Sequence, residues 1–127
     1  MDTPLSQAER FWGLPLIAIL SLVRRDGRPH ATPVKAVYLF DEHQIRAAAL
    51  VSRRSVKAQI IGLRQARGAL TEQNPQGWVS VEGPCHLSDD LHLLAPAREA
   101  YELRFSQPST WGDIVVIVAA EHIYTGG

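Results

Sequence analysis

The chain has 127 residues, 46% of them hydrophobic, and a formal net charge of zero from 13 basic and 13 acidic residues. That length supports one domain, 1-127, with a core of ordinary size, and the balanced charge excludes a protein that coats nucleic acid through bulk charge. A single cysteine, Cys85, excludes an internal disulfide and a cysteine-rich metal cage and suits a reducing cytosol.

The N-terminal segment MDTPLSQAERFWG is polar and mixed in charge, without the basic and apolar regions of a signal peptide. The apolar run from Leu14 to Val23 is too short to span a bilayer and is closed by Arg24 and Arg25. The expectation is a soluble, cytoplasmic protein with no membrane partner. Two apolar, β-branched stretches in PLIAILSLVRRDGRPHATPVKAVYLF flank the dipeptide Asp26-Gly27, which favours a tight hairpin. A turn at DEHQ leads to a third strand, IRAAALVS, returning along the second.

Val56, Ile60, Ile61 and Leu63 then recur at helical spacing, and Ser55 sits where its hydroxyl would cap a first turn, which predicts a helix from Ser55 to Gln65. RGALTEQ and GWVSVEGPCHL read as two strands joined at NPQG, with Val79, Val81 and Cys85 on one face. SDDLHLLAPAREAYELRF predicts a second helix with Ser88 as N-cap, two acids in its first turn and an interruption at Pro96. The Val- and Ile-rich DIVVIVAAEHIY reads as one buried final strand. The order β-β-β-α-β-β-α-β predicts a mainly β fold with two short helices, a small six-stranded antiparallel barrel.

The stretch SRRSVKAQIIGLRQAR holds five cations and no acid. A helix starting at Ser55 would set its free N–H groups and positive dipole end beside Arg53, Arg54 and Lys57, an arrangement suited to phosphate. A solvated, salt-bridged helix face accounts for the same charges, and a nucleic-acid patch is a third reading that the neutral total disfavours. The five histidines show no metal spacing: Cys85 and His86 are strand neighbours facing opposite sides, and His92 belongs to the next helix. Cys85 reads as a small buried hydrophobe, and Trp12 and Trp111 as core or interface anchors, whereas Trp78 is a candidate to cover a planar ring. Tyr101, Leu103, Arg98 and Arg104 share the second helix, as a lid or as a packing face.

From about Leu14 to Tyr124 the chain resembles the flavin and deazaflavin split β-barrel proteins related to pyridoxamine 5'-phosphate oxidase. The resemblance rests on the DGRPH hairpin followed by ATPVKAVYLF, the Ser55-Val56-Lys57 motif at a helix start, the strand GWVSVEG and the late HIY. It implies a six-stranded split β-barrel, a homodimer with cofactor sites built from both chains, and a small-molecule substrate. It also implies that Arg53, Ser55 and Lys57 hold a cofactor phosphate while Pro33, Val34 and Lys35 lie beside the ring; Arg54, within the basic stretch, and Trp78, before the Glu-Gly of GWVSVEG, are further cofactor-binding candidates.

Pyridoxamine phosphate oxidases have Ser-Arg-Lys where this chain has Ser55-Val56-Lys57, and Gln-Val-Arg-Val where it has Trp78-Val79-Ser80-Val81. These departures point away from vitamin B6 oxidation and toward the branch that uses the deazaflavin coenzyme F(420), with hydride delivered to a conjugated acceptor such as a bilin or quinone. Ile60 departs from that branch, which often has Asn there. An FMN-binding oxidoreductase and a non-catalytic carrier of flavin, deazaflavin or haem are the alternatives. Because the cofactor carries the chemistry, no catalytic triad is expected, and Lys35 or Lys57 is the candidate to polarise or protonate the acceptor.

Overall fold

The computed structural model describes residues 11–40, 44–63 and 66–126. Its strands are β1 (Ala18–Val23), β2 (Pro29–Val34), β3 (Ala36–Phe40), β4 (Ile45–Val51), β5 (Ala66–Asn74), β6 (Gly77–Ser88), β7 (Ile114–Ala119) and β8 (His122–Gly126). Helix α1 (Val56–Leu63) lies between β4 and β5, and helix α2 (Leu91–Phe105) between β6 and β7. All pairings are antiparallel, in the order β2-β1-β5-β6-β7-β4-β3, with β8 added to β6.

The sheet therefore has eight strands where six were expected, and it is not closed. The two edges of the path, β2 and β3, are joined by Lys35 alone and do not pair with each other. The predicted second strand is split there. The predicted last strand is also split, into β7 and β8, and the reason lies in β6. Gly83 lets the chain between β7 and β8 come against the sheet: a Cβ at Gly83 would stand 1.7 Å from the Ala119 carbonyl oxygen, and Glu121 N donates to Glu82 O at 2.9 Å. Below this crossing β6 pairs with β8, and above it with β7.

Local signals explain the rest. Gly27 takes φ 88°, open to glycine at little steric cost, while Gly27 N bonds Arg24 O at 2.9 Å and the Asp26 carboxylate holds Arg28. Ser55 caps α1, its hydroxyl accepting from Ala58 N at 3.3 Å. The expected C-terminus of that helix at Gln65 and most of the DEHQ turn lie outside the described residues. The Asn74 side chain accepts from Gln76 N and Gly77 N, which fixes the β5–β6 turn. The N-cap of α2 is Asp90, not Ser88, because β6 runs on to Ser88. The Asp90 carboxylate accepts from His92 N at 2.9 Å, while Ser88 Oγ accepts from Asp90 N. α2 continues through Pro96 without interruption.

The inner face of the curled sheet closes over one core, with Leu20 and Leu22 from β1, Leu70 from β5, Val81 and Cys85 from β6, and Val116 and Val118 from β7, plugged by Ala58 and Ile61 of α1. On the other face, Leu94, Ala97 and Tyr101 of α2 pack on Val37, Ala48, Leu50, Val115 and Ile117. Covered on both sides, β7 loses the alternation of a half-exposed strand, which is why IVVIVA reads as a continuous apolar run. Among the described residues no helix is long and apolar enough to cross a membrane.

α2 is also tied to the sheet by charge. Arg104 forms a two-pronged ion pair with Glu72 of β5 at 2.9 and 2.8 Å, and the side chains are 5% and 0% exposed. The same guanidinium donates to the carbonyls of Leu14, Ala36 and Phe11. Tyr38 lies close by with its hydroxyl buried and unbonded, and burial raises its pKa well above the usual phenol range.

Candidate functional site

A cavity of about 630 Å³ opens where the sheet fails to close. One wall is the end of β2 and the connection to β3: Pro33, Val34 and Lys35, with Ile17 ahead of β1. The opposite wall is the end of β4 and the turn into α1: Leu50, Val51, Ser52, Ser55 and Lys57. Tyr101, Gln107 and Trp111, from α2 and the segment after it, complete the lining.

The turn before α1 is held firmly. Ser55 N donates to Ser52 O at 3.0 Å and Arg54 N to Ser52 Oγ at 3.2 Å. Asp113, just ahead of β7, accepts from Arg53 N at 2.8 Å and from Arg53 Nε at 3.2 Å, and Asp113 N donates back to Val51 O. The backbone bond from Arg53, reinforced by its guanidinium, holds the Asp113 carboxyl below the usual carboxylate range. With Ser55 serving Ala58 and Gln59, the amides of Val56 and Lys57 stand at the start of α1, where a helix has no internal acceptors.

The far wall is held from α2. The helix ends at Ser106, in the left-handed region at φ 53°, which turns the chain so that the Gln107 side chain oxygen accepts from both Lys35 Nζ and Tyr101 Oη. Arg98 donates to the carbonyls of Ser109 and Gly112, and Ser109 Oγ donates to Glu102, so the segment carrying Trp111 is clamped to the helix. Trp111 is 55% exposed and meets Tyr101 edge-on, ring centroids 5.8 Å apart. α2 is thus a packing face that supports the cavity wall, and Leu103 points away from it, exposed.

The cavity brings together five of the residues singled out in the sequence: Pro33, Val34, Lys35, Ser55 and Lys57. Arg53 and Arg54 flank the same turn but stand outside the lining, and Arg53 is engaged by Asp113 and, at 3.8 Å, by Asp89. Trp78 lies elsewhere, over Gly126 in a separate hollow with Phe11, Asn74 and Gln76. Tyr101, Gln107, Ser52 and Trp111 line the cavity without having been picked out for it. Trp111 was read as a core or interface anchor, and nothing local marks Gln107. Trp12 stacks on Tyr38 at 4.3 Å. Cys85 is buried 2% exposed in the core, and burial pushes its thiol up to about 11. No group of three or more His, Cys, Asp or Glu positioned for a metal occurs among the described residues.

No family model and no curated protein sequence matches the chain. Solved structures do. A heme binding protein from Mycobacterium smegmatis superposes with a TM-score of 0.72 at 15% identity, over 100% of this chain and 55% of that one. An F(420) reductase gives 0.66 at 17% identity, over 91% and 94%. A putative pyridoxamine 5'-phosphate oxidase from Lactobacillus delbrueckii gives 0.61 at 16% identity, over 85% and 83%. The chain has the fold of these proteins. That is consistent with the split β-barrel, in a form with eight strands and an unclosed sheet. Identities this low show the shared fold alone and leave the chemistry to the residues of the cavity.

Proposed function

We propose that the cavity binds a phosphate-bearing flavin-type cofactor, coenzyme F(420) in the first place, and that the chain is an oxidoreductase acting on a conjugated small molecule. One observation carries this reading. A single cavity joins a phosphate-type donor set, the ammonium of Lys57 with the hydroxyls of Ser52 and Ser55 at a helix start, to an apolar strand end and an aromatic wall, and its lining among the described residues contains no carboxylate. The donor set and the apolar walls fit such a group, and the volume lies within the range of about 300–1,000 Å³ usual for ligand sites.

In this reading Lys57, Ser52 and Ser55 hold the phosphate, Pro33 and Val34 lie along the ring, and Trp111 and Ile17 exclude water. A reduced deazaflavin would supply hydride. The chain's part is to orient ring and acceptor and to offer a proton donor, for which Lys35 stands in the wall. FMN would offer its terminal phosphate to the same residues. A haem carrier is less well supported: among the described residues the lining has no His, Cys or Met, and Tyr101 already bonds Gln107.

A homodimer belongs to the proposal. The outer face of β1 and β2 exposes Ile19, Val23, Ala31 and Pro33 around Ser21, a mainly apolar strip that continues into the cavity mouth through Pro33 and Ile17 just ahead of β1. Titration of the full chain with F(420) and separately with FMN, read by absorbance and calorimetry with sedimentation in parallel, tests the reading. Lys57→Ala is expected to weaken cofactor binding by at least about tenfold without changing the melting temperature. Unchanged binding removes Lys57 from the site, and binding of neither cofactor overturns the proposal.

A further inference from the structure

Beyond Lys57, the cavity contains a second cation with a different setting. Lys35 stands in the opposite wall, its ammonium bonded to the neutral side chain of Gln107 and 5.8 Å from the centre of the Phe105 ring. Arg28, Arg53, Arg67 and Arg104 each have a carboxylate partner: Asp26, Asp113, Glu121 and Glu72. Lys35 and Lys57, the two cations of the cavity, have none among the described residues.

Gln107 is well suited to keep Lys35 available. Its oxygen accepts from Lys35 and from Tyr101 together, which fixes the ammonium in the wall while leaving its charge uncancelled. A Glu at that position would neutralise it. The same cavity is lined by the exposed indole of Trp111, which is held edge-on against the buried Tyr101 ring and offers a surface for a flat, conjugated molecule.

We infer that the Lys35–Gln107–Tyr101–Trp111 end of the cavity is a second anion subsite, and that the molecule it takes is a planar conjugated acid whose carboxylate meets Lys35. This deepens the oxidoreductase reading by naming the acceptor's chemical class, and it rests on that reading only for calling the molecule a substrate. The two anion ends are distinct: phosphate at Lys57, carboxylate at Lys35.

The test uses 2-naphthoate and its neutral analogue 2-naphthamide as probes, with the full chain, by calorimetry and saturation-transfer NMR. The wild type is expected to bind the acid about tenfold tighter than the amide, the effect of one charge-assisted hydrogen bond at a partly exposed site. Lys35→Met and Gln107→Glu should each erase that preference, the second without removing the lysine, while Lys57→Met keeps it. Inorganic phosphate should leave naphthoate bound. An equal affinity for acid and amide in the wild type overturns the inference. So does a preference that survives both Lys35→Met and Gln107→Glu, or displacement of naphthoate by phosphate. If neither F(420) nor FMN binds but the acid preference follows Lys35, the cofactor reading falls and the subsite stands. If a cofactor binds and the preference is missing, the subsite falls alone.

Discussion

Replacing Arg104 by Met would leave Glu72 as a buried carboxyl without its partner. Met keeps most of the apolar volume of the arginine stem, so the loss is mainly of charge and hydrogen bonds. Breaking a buried pair from one side costs about 3–5 kcal/mol, and the carbonyls of Leu14, Ala36 and Phe11, which also lose their donor, push the value toward the upper end. Against a total stability of about 5–15 kcal/mol the variant should still fold. Its deficit should depend on pH in a defined direction. Burial already raises the Glu72 pKa, against the opposing pull of Arg104, and removing Arg104 raises it further. A carboxyl whose folded pKa exceeds its unfolded value holds more protons in the folded state, so stability falls as pH rises between the two. The variant extends that window upward, so its deficit relative to the wild type should be smaller at about pH 5 than at about pH 8, with the share due to the three carbonyls present at both. Urea unfolding followed by tryptophan fluorescence at both pH values reads it. The double variant Glu72→Gln/Arg104→Met, which lacks the titrating group, should show a deficit that does not vary with pH. A single-variant deficit equal at both pH values, or below about 1 kcal/mol throughout, would refute the reasoning.

Gly83→Ala sets a methyl group against a backbone carbonyl that cannot move without lifting the β7–β8 crossing off β6, and should cost about 3 kcal/mol or more, seen as a lowered thermal midpoint by circular dichroism. Cys85, with its thiol pushed up to about 11, should stay unreactive toward a disulfide reagent near pH 8 in the folded chain and react at once in denaturant. Fast labelling of the folded protein would contradict its burial.

What was legible in the sequence was chemistry that acts over a few residues. Asp26-Gly27 makes its turn because the positive φ is a property of that glycine, and Ser55 caps α1 because the hydroxyl reaches an amide three residues on. The breaks in the predicted strands carry no such mark. The connection at Lys35 has no glycine, and the chain between Ala119 and His122 bends because Gly83, some thirty-five residues earlier, leaves room for it. Ser88 and Asp90 are both good caps by type, and only the length of β6 chooses between them. The cavity was half legible for the same reason. Its β2 end and its α1 end are each short local motifs. Tyr101, Gln107 and Trp111 reach it through the αL turn at Ser106 and the clamp by Arg98, neither of which has a sequence signature.

The cation-rich stretch shows how a local pattern is divided by the fold. Read as a run, Arg53, Arg54, Lys57, Arg64 and Arg67 suggest one concentrated anion site. In the folded chain Arg53 is spent on Asp113, fastening the turn before α1 to the segment ahead of β7, and Arg67 on Glu121, fastening β5 beside the β7–β8 crossing. Both carboxylates come from the C-terminal quarter of the chain, which is how a locally basic segment is accommodated in a molecule of zero net charge. Arg54 is exposed outside the cavity, and Lys57 is the cation of this stretch that enters the lining. What this stretch contributes to the cavity, among the described residues, is therefore one ammonium with two hydroxyls and a helix start, a donor set sized for one phosphate, opposite Lys35 in the other wall. Arg53 beside this donor set acts by holding the turn in place, so the run is legible as a site only once the acids that claim Arg53 and Arg67 are known.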